Sequence, residues 1–549
     1  MTELVTDGLA YWARQAPGRT AIVFDGTDRT DYAALDRWTD AAAHFHAAAG
    51  LRRGDRVGII GDNSLEWVVA AIGALKLGAI VVPFNNRFTP DELRYLVDDS
   101  GPRMVLADET HRDRMAAALA RPSAAGGAAT LLPLGAFTGL RGEQAAPVPR
   151  PQAGPDDVTQ IVYTSGTSSR PKGVLFTHRS TFNLIADFAF AEPALRPAAR
   201  MIYVLSMSGA PGLLWHILHP LTRGLSIFYE RGFEPARTLR RLAQEKIQIM
   251  AGVPLLFEQM ARLPEFAAAD LSSLELVTIA GARAPVPVIR SWLDKGVLLR
   301  QAYGMTELGG ISSLNPTDQA VDRPESIGRG TVFTRHQVVR PDGTDCDAEE
   351  PGEIIVSGPG VTPGYWRNEA AYAEAMRDGW FHSGDVGIKD ADGYIRVVDR
   401  LKDIIITGGY NVAPSEIEAV ISELPQVEEV CVISAPDAKF GEVPAAVICA
   451  DGALTAEAVI GFCRERLAGY KVPRHVIVQD HPLERMASGK IARRKIRDAH
   501  PELAQAAQPV GSPAGDRSGD CGTRDHRARK GVRAVSDQPG RGRGAAGRR

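Results

Sequence analysis

The chain has 549 residues, of which 63 are basic and 66 acidic, for a formal net charge of −3, and 44% are hydrophobic. At about 150 residues per domain this length makes three or four compact units with ample core. The near balance of charge excludes the basic surplus that binding to a nucleic-acid backbone requires, and Gly 55 with Pro 36 stay below the content of low-complexity disorder.

In chain order, apolar runs at 56–60, 104–107, 161–164, 276–280 and 297–300 predict strands, and the stretches 91–99 and 285–293 between them predict helices. The longest apolar stretch, 67–84, is interrupted by Lys76 and by glycine and proline, which predicts a buried helix followed by a strand and no integral membrane contact. This alternation predicts βα units with mainly parallel sheets. From Gly352 the texture changes to shorter strands and Gly-rich turns, with a strand over 393–399 leading into Asp399-Arg400-Leu401-Lys402-Asp403, where a domain boundary is expected. Beyond it, a helix opened by Pro414 and Ser415, strands at 429–434 and 445–450, a helix at 455–467 and a strand at 475–479 predict a second, small α/β unit. Residues 511–549 hold ten Lys or Arg, four Asp and nine Gly. They cannot bury enough apolar surface to offset ordering entropy, so a disordered, solvated extension is expected.

The cysteines, Cys346, Cys431, Cys449, Cys463 and Cys521, form no C-x-x-C pair and no disulfide framework, which points to a reducing compartment. Glu3 and Asp7 stand where a secretory signal carries Lys or Arg, so the expected location is cytoplasmic.

Five stretches carry the chemistry. The first, Tyr163-Thr164-Ser165-Gly166-Thr167-Ser168-Ser169-Arg170-Pro171-Lys172-Gly173-Val174, follows a predicted strand. Small residues let backbone N–H groups and hydroxyls converge on an anion, and a lysine adds a point charge for phosphate oxygens. Pro171 before the lysine, with no Ser or Thr after it, separates this loop from the Walker pattern. The others are Gln301-Ala302-Tyr303-Gly304-Met305-Thr306-Glu307, Gly379-Trp380-Phe381-His382-Ser383-Gly384-Asp385, Asp399-Arg400-Leu401-Lys402-Asp403 and Ser488-Gly489-Lys490. Each alone has a plain structural reading. The loop is a turn, Glu307 a helix N-terminal acid, Asp385 a turn former, Arg400 a surface ion-pair partner, and Lys490 part of a basic helix face with Arg493, Arg494, Lys495 and Arg497.

Together and in this order, the five stretches make the chain resemble the adenylate-forming (AMP-binding) superfamily, which includes acyl-CoA synthetases, aryl-CoA ligases, luciferases and the adenylation domains of peptide synthetases. The resemblance runs over residues 4–500. It implies an α/β fold in which a large N-terminal domain of parallel-sheet βα subdomains, 1–399, is followed by a hinge, 400–402. A small mobile C-terminal α+β domain, 403–505, and a disordered basic tail, 506–549, complete the expected chain. It implies an acid–thiol ligase using ATP, Mg2+ and coenzyme A, in which a carboxylic acid is converted to an acyl-adenylate with loss of pyrophosphate and then to an acyl-CoA. The setting implied is fatty acid or aromatic acid metabolism, with no nucleic acid as partner and a homodimer as one admissible assembly.

By this resemblance Thr164, Ser165, Gly166, Thr167, Ser168 and Lys172 cradle the phosphates. Glu307 is the magnesium ligand, with Thr306 beside the α-phosphate. Gly281, Ala282, Gln301, Ala302 and Tyr303 surround the adenine, Asp385 takes the ribose hydroxyls, and Arg400 contacts ribose or phosphate. Lys490 is the catalytic lysine that neutralises charge as the carboxylate approaches. Lys402 is the hinge residue, Gly408 and Gly409 line the coenzyme A channel, and Met207, Ser208, Gly209, Gly304 and Gly309 border the acyl pocket. The chain departs from the family's usual pattern at Ser168-Ser169, where Thr-Gly is common, and in the first half of Leu483-Glu484-Arg485-Met486-Ala487-Ser488-Gly489-Lys490.

The acyl segment Leu205-Ser206-Met207-Ser208-Gly209-Ala210-Pro211-Gly212 has no Asp to pair with an ammonium, which argues against amino acids. Its small residues, with Gly309 and Gly310, either leave room for a bulky apolar acyl group or ring or permit close backbone packing. Two other functions stand beside the ligase. One is a stand-alone adenylation enzyme that loads a carrier protein in trans. The other is a silent nucleotide-binding scaffold, against which Lys172, Glu307, Asp385 and Lys490 speak.

Overall fold

Ser64 opens a helix, its hydroxyl accepting the Trp67 N–H at 3.2 Å, and every residue of Leu65–Lys76 except Glu66 is buried. A helix apolar all round must be enclosed on all sides. Its one buried charge, Lys76, is neutralised by Asp36 and Asp40, each 2.7 Å from Nζ on the helix Tyr32–Ala48. The strand Ile80–Pro83 follows, so 67–84 is the expected helix and strand.

The computed structural model describes residues 4–120, 129–149, 151, 153–164, 170–209, 212–437, 439–450, 454–486, 490–501 and 503. The expected tail, 506–549, lies outside the described residues. Among these residues the buried helix shares one apolar core with two sheets. One has the strand order Thr130–Pro133, Met104–Ala107, Arg56–Ile60, Ile80–Pro83, Val158–Thr164, Lys172–Thr177, parallel but for its last pair. The other runs Ser313–Leu314, Leu299–Tyr303, Leu276–Ile279, Ile249–Gly252, Arg200–Tyr203, Ser226–Tyr229, Thr20–Phe24, Asp28–Asp31, parallel except at both ends. Parallel strands buried on both faces explain why their sequences read as continuous apolar runs.

Between Arg335 and Arg400 the strands pair antiparallel. Trp380–Lys389 pairs with Pro351–Ser357 on one side and Ile395–Arg400 on the other. Beyond residue 404 a separate sheet forms from Ile405–Thr407, Tyr410–Val412, Val427–Asp437, Gly441–Ala450 and His475–Gln479. Its own core includes Ile405, Ile417, Ile421, Val432, Ile448 and Val459. Cys346, Cys431, Cys449 and Cys463 are buried thiols. Among the described residues no helix is long and apolar enough to cross a membrane.

Candidate active site

The hairpin of Val158–Thr164 and Lys172–Thr177 sets Thr164 opposite Lys172 across an antiparallel pair. Ser165, Gly166, Thr167, Ser168 and Ser169, which join them, lie outside the described residues. The Thr164 hydroxyl is buried with no hydrogen-bond partner among the described residues. Such a group costs about 1 to 3 kcal/mol until an acceptor or donor arrives. Lys172 Nζ stands 5.0 Å from the centre of the Tyr365 ring.

Tyr365 was not anticipated. It is placed by Gly364 and Trp366, whose backbones bond to Leu175 and Gly173 of the hairpin at 3.1 and 2.7 Å. From there its hydroxyl donates to Glu307 Oε1 at 3.1 Å, so one ring touches both the lysine and the acid. The sequence signal was an aromatic in a Gly-Pro turn, Pro363-Gly364-Tyr365, which is a weak one.

Strand Leu299–Tyr303 ends at the turn Thr306–Leu308, which Gly309 closes at φ +76. Thr306 and Glu307 are both buried. Burial pushes the Glu307 carboxyl up, opposed by the Tyr365 hydroxyl and by Arg400 and Lys172. A buried carboxylate is a hard oxygen donor, and with the Lys172 charge sharing the Tyr365 ring it fits a magnesium–phosphate group.

Gln301 braces the loop that follows strand Leu276–Ile279. Its Oε1 accepts from the Ala284 N–H at 3.0 Å, and its Nε2 donates to the carbonyls of Ile279 and Ala282 at 3.3 Å. Ala302 is buried behind it. Gly281 holds φ +85, and a β-carbon there would meet Lys490 Cε at 3.9 Å. Tyr303 donates to Asp385 Oδ2 at 2.7 Å, and Arg400 Nε lies 2.6 Å from Asp385 Oδ1. Asp385 and Arg400 are direct partners in the strand pairing. Burial raises the Asp385 carboxyl above its usual range, while Arg400, Tyr303 and Lys490 oppose this.

Lys490 therefore converges on this group from the small sheet's side of the chain. Lys490 is exposed as a residue. The protein packed around the ammonium, and then Arg400, nevertheless push its pKa below the ordinary lysine value, with Asp385 opposing. Ser488 and Gly489 lie outside the described residues.

The other expected residues are placed differently. Lys402 is exposed in the turn Leu401–Asp403. Gly408 and Gly409 form the exposed hairpin turn at φ +56 and +87, Gly408 N–H bonding to the Phe440 carbonyl at 2.9 Å. Met207 is buried in the main core with its N–H on Asn63 Oδ1 at 2.8 Å, and Ser208 Oγ reaches the Gly61 carbonyl at 3.4 Å. The Gly209 N–H bonds to the Ser206 carbonyl at 3.1 Å. A β-carbon on Gly304 would lie 2.3 Å from the Gly310 carbonyl oxygen, and one on Gly309 would lie 2.6 Å from Leu184 Cδ2. For these last two, close packing is a requirement of the fold.

Residues 9–366 match the AMP-binding enzyme family and residues 416–490 the AMP-binding enzyme C-terminal domain. A feruloyl-CoA synthase from Amycolatopsis sp is 37% identical over 498 residues, covering 89% of this chain and 98% of that protein. The long-chain-fatty-acid–CoA ligase FadD13 of Mycobacterium tuberculosis is 32% identical over 490 residues, covering 89% and 97%. The crystal structure of ATP-bound MatB from Rhodopseudomonas palustris superimposes with a TM-score of 0.81 at 29% identity, covering 90% of this chain and 99% of that one. With nearly its whole described length matched in sequence and shape, the chain belongs to the AMP-binding enzyme family of adenylate-forming acid–thiol ligases.

Proposed function

We propose that the acid this ligase activates is uncharged and apolar, of medium chain or carrying a ring, and that Lys490, Glu307, Asp385 and the phosphate hairpin carry its adenylation. The reaction itself has two steps. A carboxylate oxygen bonds to the α-phosphorus of ATP as the bond to pyrophosphate breaks, and the thiol of coenzyme A then displaces AMP from the acyl carbon. In the first step two anions must meet, and a positive group fixed between them acts on charge as it develops. Lys490 supplies that charge in this reading.

Lys172 and the Thr164 hydroxyl hold phosphate oxygens. Asp385, with Tyr303 and Arg400 holding two of its lone-pair sites, offers the rest to ribose hydroxyls. Gln301 keeps the Gly281–Ala282 backbone in place for the base. Magnesium held at Glu307 would draw charge off the phosphate oxygens. Relatives named for feruloyl and long-chain-fatty-acyl thioesters, and the absence of any charged residue in 205–212, support the choice of acid.

The observation that carries the reading is the approach of Lys490 to Gly281, Asp385 and Arg400. Pyrophosphate release over a panel of carboxylic acids, with and without coenzyme A, tests it. Medium-chain or ring-bearing acids should lead, with thioester formed when coenzyme A is present. A free amino acid or a dicarboxylate as best substrate defeats the choice of acid, and acyl-adenylate that accumulates untouched by coenzyme A favours a carrier-protein acceptor.

A further inference from the structure

Lys490 carries its charge at the end of a flexible four-carbon stem, so the backbone beneath it has to be held for the ammonium to be delivered reproducibly. That backbone belongs to a narrow loop. Arg485 pairs with Ile491 across it, Met486 N–H bonds to the Lys490 carbonyl at 2.7 Å, and Ala492 N–H bonds to the Glu484 carbonyl at 2.8 Å. Immediately after the loop comes Arg493, which does not enter the site. Its two terminal nitrogens make a bidentate pair with Glu418, at 2.7 and 2.9 Å, and one of them also donates to the Val432 carbonyl. Glu418 Oε1 accepts in addition from the Val432 N–H at 2.7 Å. One carboxylate thus ties the exit of the lysine loop to a strand and to its own helix, Pro414–Ile421.

The same helix is fastened at its other end to the strand that holds Arg400. Ser415 N–H donates to Asp399 Oδ2 at 2.9 Å, and Ser415 Oγ donates to the Val398 carbonyl at 2.6 Å. The other Asp399 oxygen accepts from the Arg400 N–H at 2.8 Å. Arg400 is the strand partner of Asp385. Side-chain contacts joined by backbone therefore run from Asp385 through Arg400 and Asp399 to Ser415, along the helix to Glu418, across to Arg493, and by the chain itself to the loop of Lys490. Of these, Asp399 reaches the groups expected around the nucleotide through the Arg400 N–H, while Ser415, Glu418 and Arg493 bond to the backbone and to one another's elements.

We propose that Asp399, Ser415, Glu418 and Arg493 are positioning residues that hold Lys490 against Asp385 for the adenylation step. The proposal rests on the reading of Lys490 given above. Its distinguishing consequence is selectivity between the two half-reactions. Only adenylation brings two anions together, so misplacing the ammonium slows pyrophosphate release and spares attack of the thiol on an acyl-adenylate already made. A residue that merely stabilised the fold would slow both.

The test uses full-length Ser415→Ala, Glu418→Gln and Lys490→Ala enzymes and the two double variants with Lys490→Ala. Single-turnover pyrophosphate release and thioester formation from supplied acyl-adenylate and coenzyme A are measured for each. Ser415→Ala leaves the Glu418–Arg493 pair intact, so it guards against a folding failure of Glu418→Gln. We expect pyrophosphate release to fall about 5-fold in Ser415→Ala and about 30-fold in Glu418→Gln, with thioester formation within about 3-fold of wild type. In the Lys490→Ala background either substitution should cost less than about 2-fold more, because residues acting through one group are not additive. Equal slowing of both half-reactions, or costs that multiply with that of Lys490→Ala, overturns the proposal. If Lys490→Ala stops pyrophosphate release while Ser415→Ala and Glu418→Gln leave it unchanged, the positioning role alone falls. If Lys490→Ala leaves release unchanged, the reading of Lys490 falls and the proposal with it.

Discussion

Tyr303 and Asp385, 82 residues apart in sequence, meet through a 2.7 Å hydrogen bond from the phenol to Oδ2. The bond joins the end of a strand of the large parallel sheet to the antiparallel strand Trp380–Lys389. It also makes the ring part of the carboxylate's charge balance, since Tyr303 and Arg400 oppose the rise that burial imposes on Asp385.

Tyr303→Phe keeps the ring and removes the donor. A hydrogen bond to a charged group contributes about 1.5 to 3 kcal/mol. We expect KM for ATP to rise about 10-fold, with kcat changed less, and the acid limb of the kcat/KM profile to move to higher pH because Asp385 then protonates more readily. Steady-state pyrophosphate release at several pH values checks both.

The two limbs of that profile have opposite origins. Burial raises the Glu307 and Asp385 carboxyls, so they gain protons and lose their charge at a pH above the ordinary carboxylate values. Burial and Arg400 lower the Lys490 ammonium, so it loses its proton below the ordinary lysine value of 10.5. Adenylation should fall off on the alkaline side earlier than a free lysine predicts, and Lys490→Arg should remove that limb because a guanidinium does not deprotonate in this range.

A buried π-turn, Leu213–Leu218, carries His216 and leads into His219. His216 Nδ1 and both ring nitrogens of His219 have no partner among the described residues. Burial pushes both imidazoles down to about 3 from an ordinary 6.5. Between these values the unfolded chain binds protons that the folded chain refuses. Stability present above pH 6.5 is therefore lost as pH falls, by about 1.4 kcal/mol per pH unit for each histidine. His219→Leu should flatten the fall in Tm between pH 6.5 and 4.5 and raise Tm at pH 7, as thermal melts across that range will show.

Gly304 is surrounded by backbone, with the Gly310 carbonyl oxygen 2.3 Å from where a β-carbon would stand. Backbone cannot rotate aside as a side chain can. Gly304→Ala should destabilise the protein by about 1 to 3 kcal/mol and displace the Thr306-Glu307 turn, lowering both Tm and pyrophosphate release. Gly379→Ala, at a turn open to solvent with φ +81, should cost only the left-handed strain of about 1 to 2 kcal/mol and leave adenylation intact.

Much of this fold was legible locally. The strands at 56–60 and 104–107 stand where their apolar runs put them, and 67–84 became helix and strand. These depend on residues two to four positions apart, which sequence periodicity reports directly. The loop after 161–164 and the acids at 307 and 385 stood out in the sequence because their residue types and spacing recur as a set. What the sequence left open was decided by which strands became neighbours. Gly309 read equally as pocket or as packing until Leu184 was found against it, and Gly304, expected at the pocket, has the Gly310 carbonyl against it. Tyr365 could not be joined to Lys172 and Glu307 while the partner of its loop was unknown. Lys490 by itself read as one cation on a basic helix face. Only the tertiary structure brings it near Gly281 and within the influence of Arg400 and Asp385. Contacts across such distances follow from tertiary pairing, on which local pattern is silent.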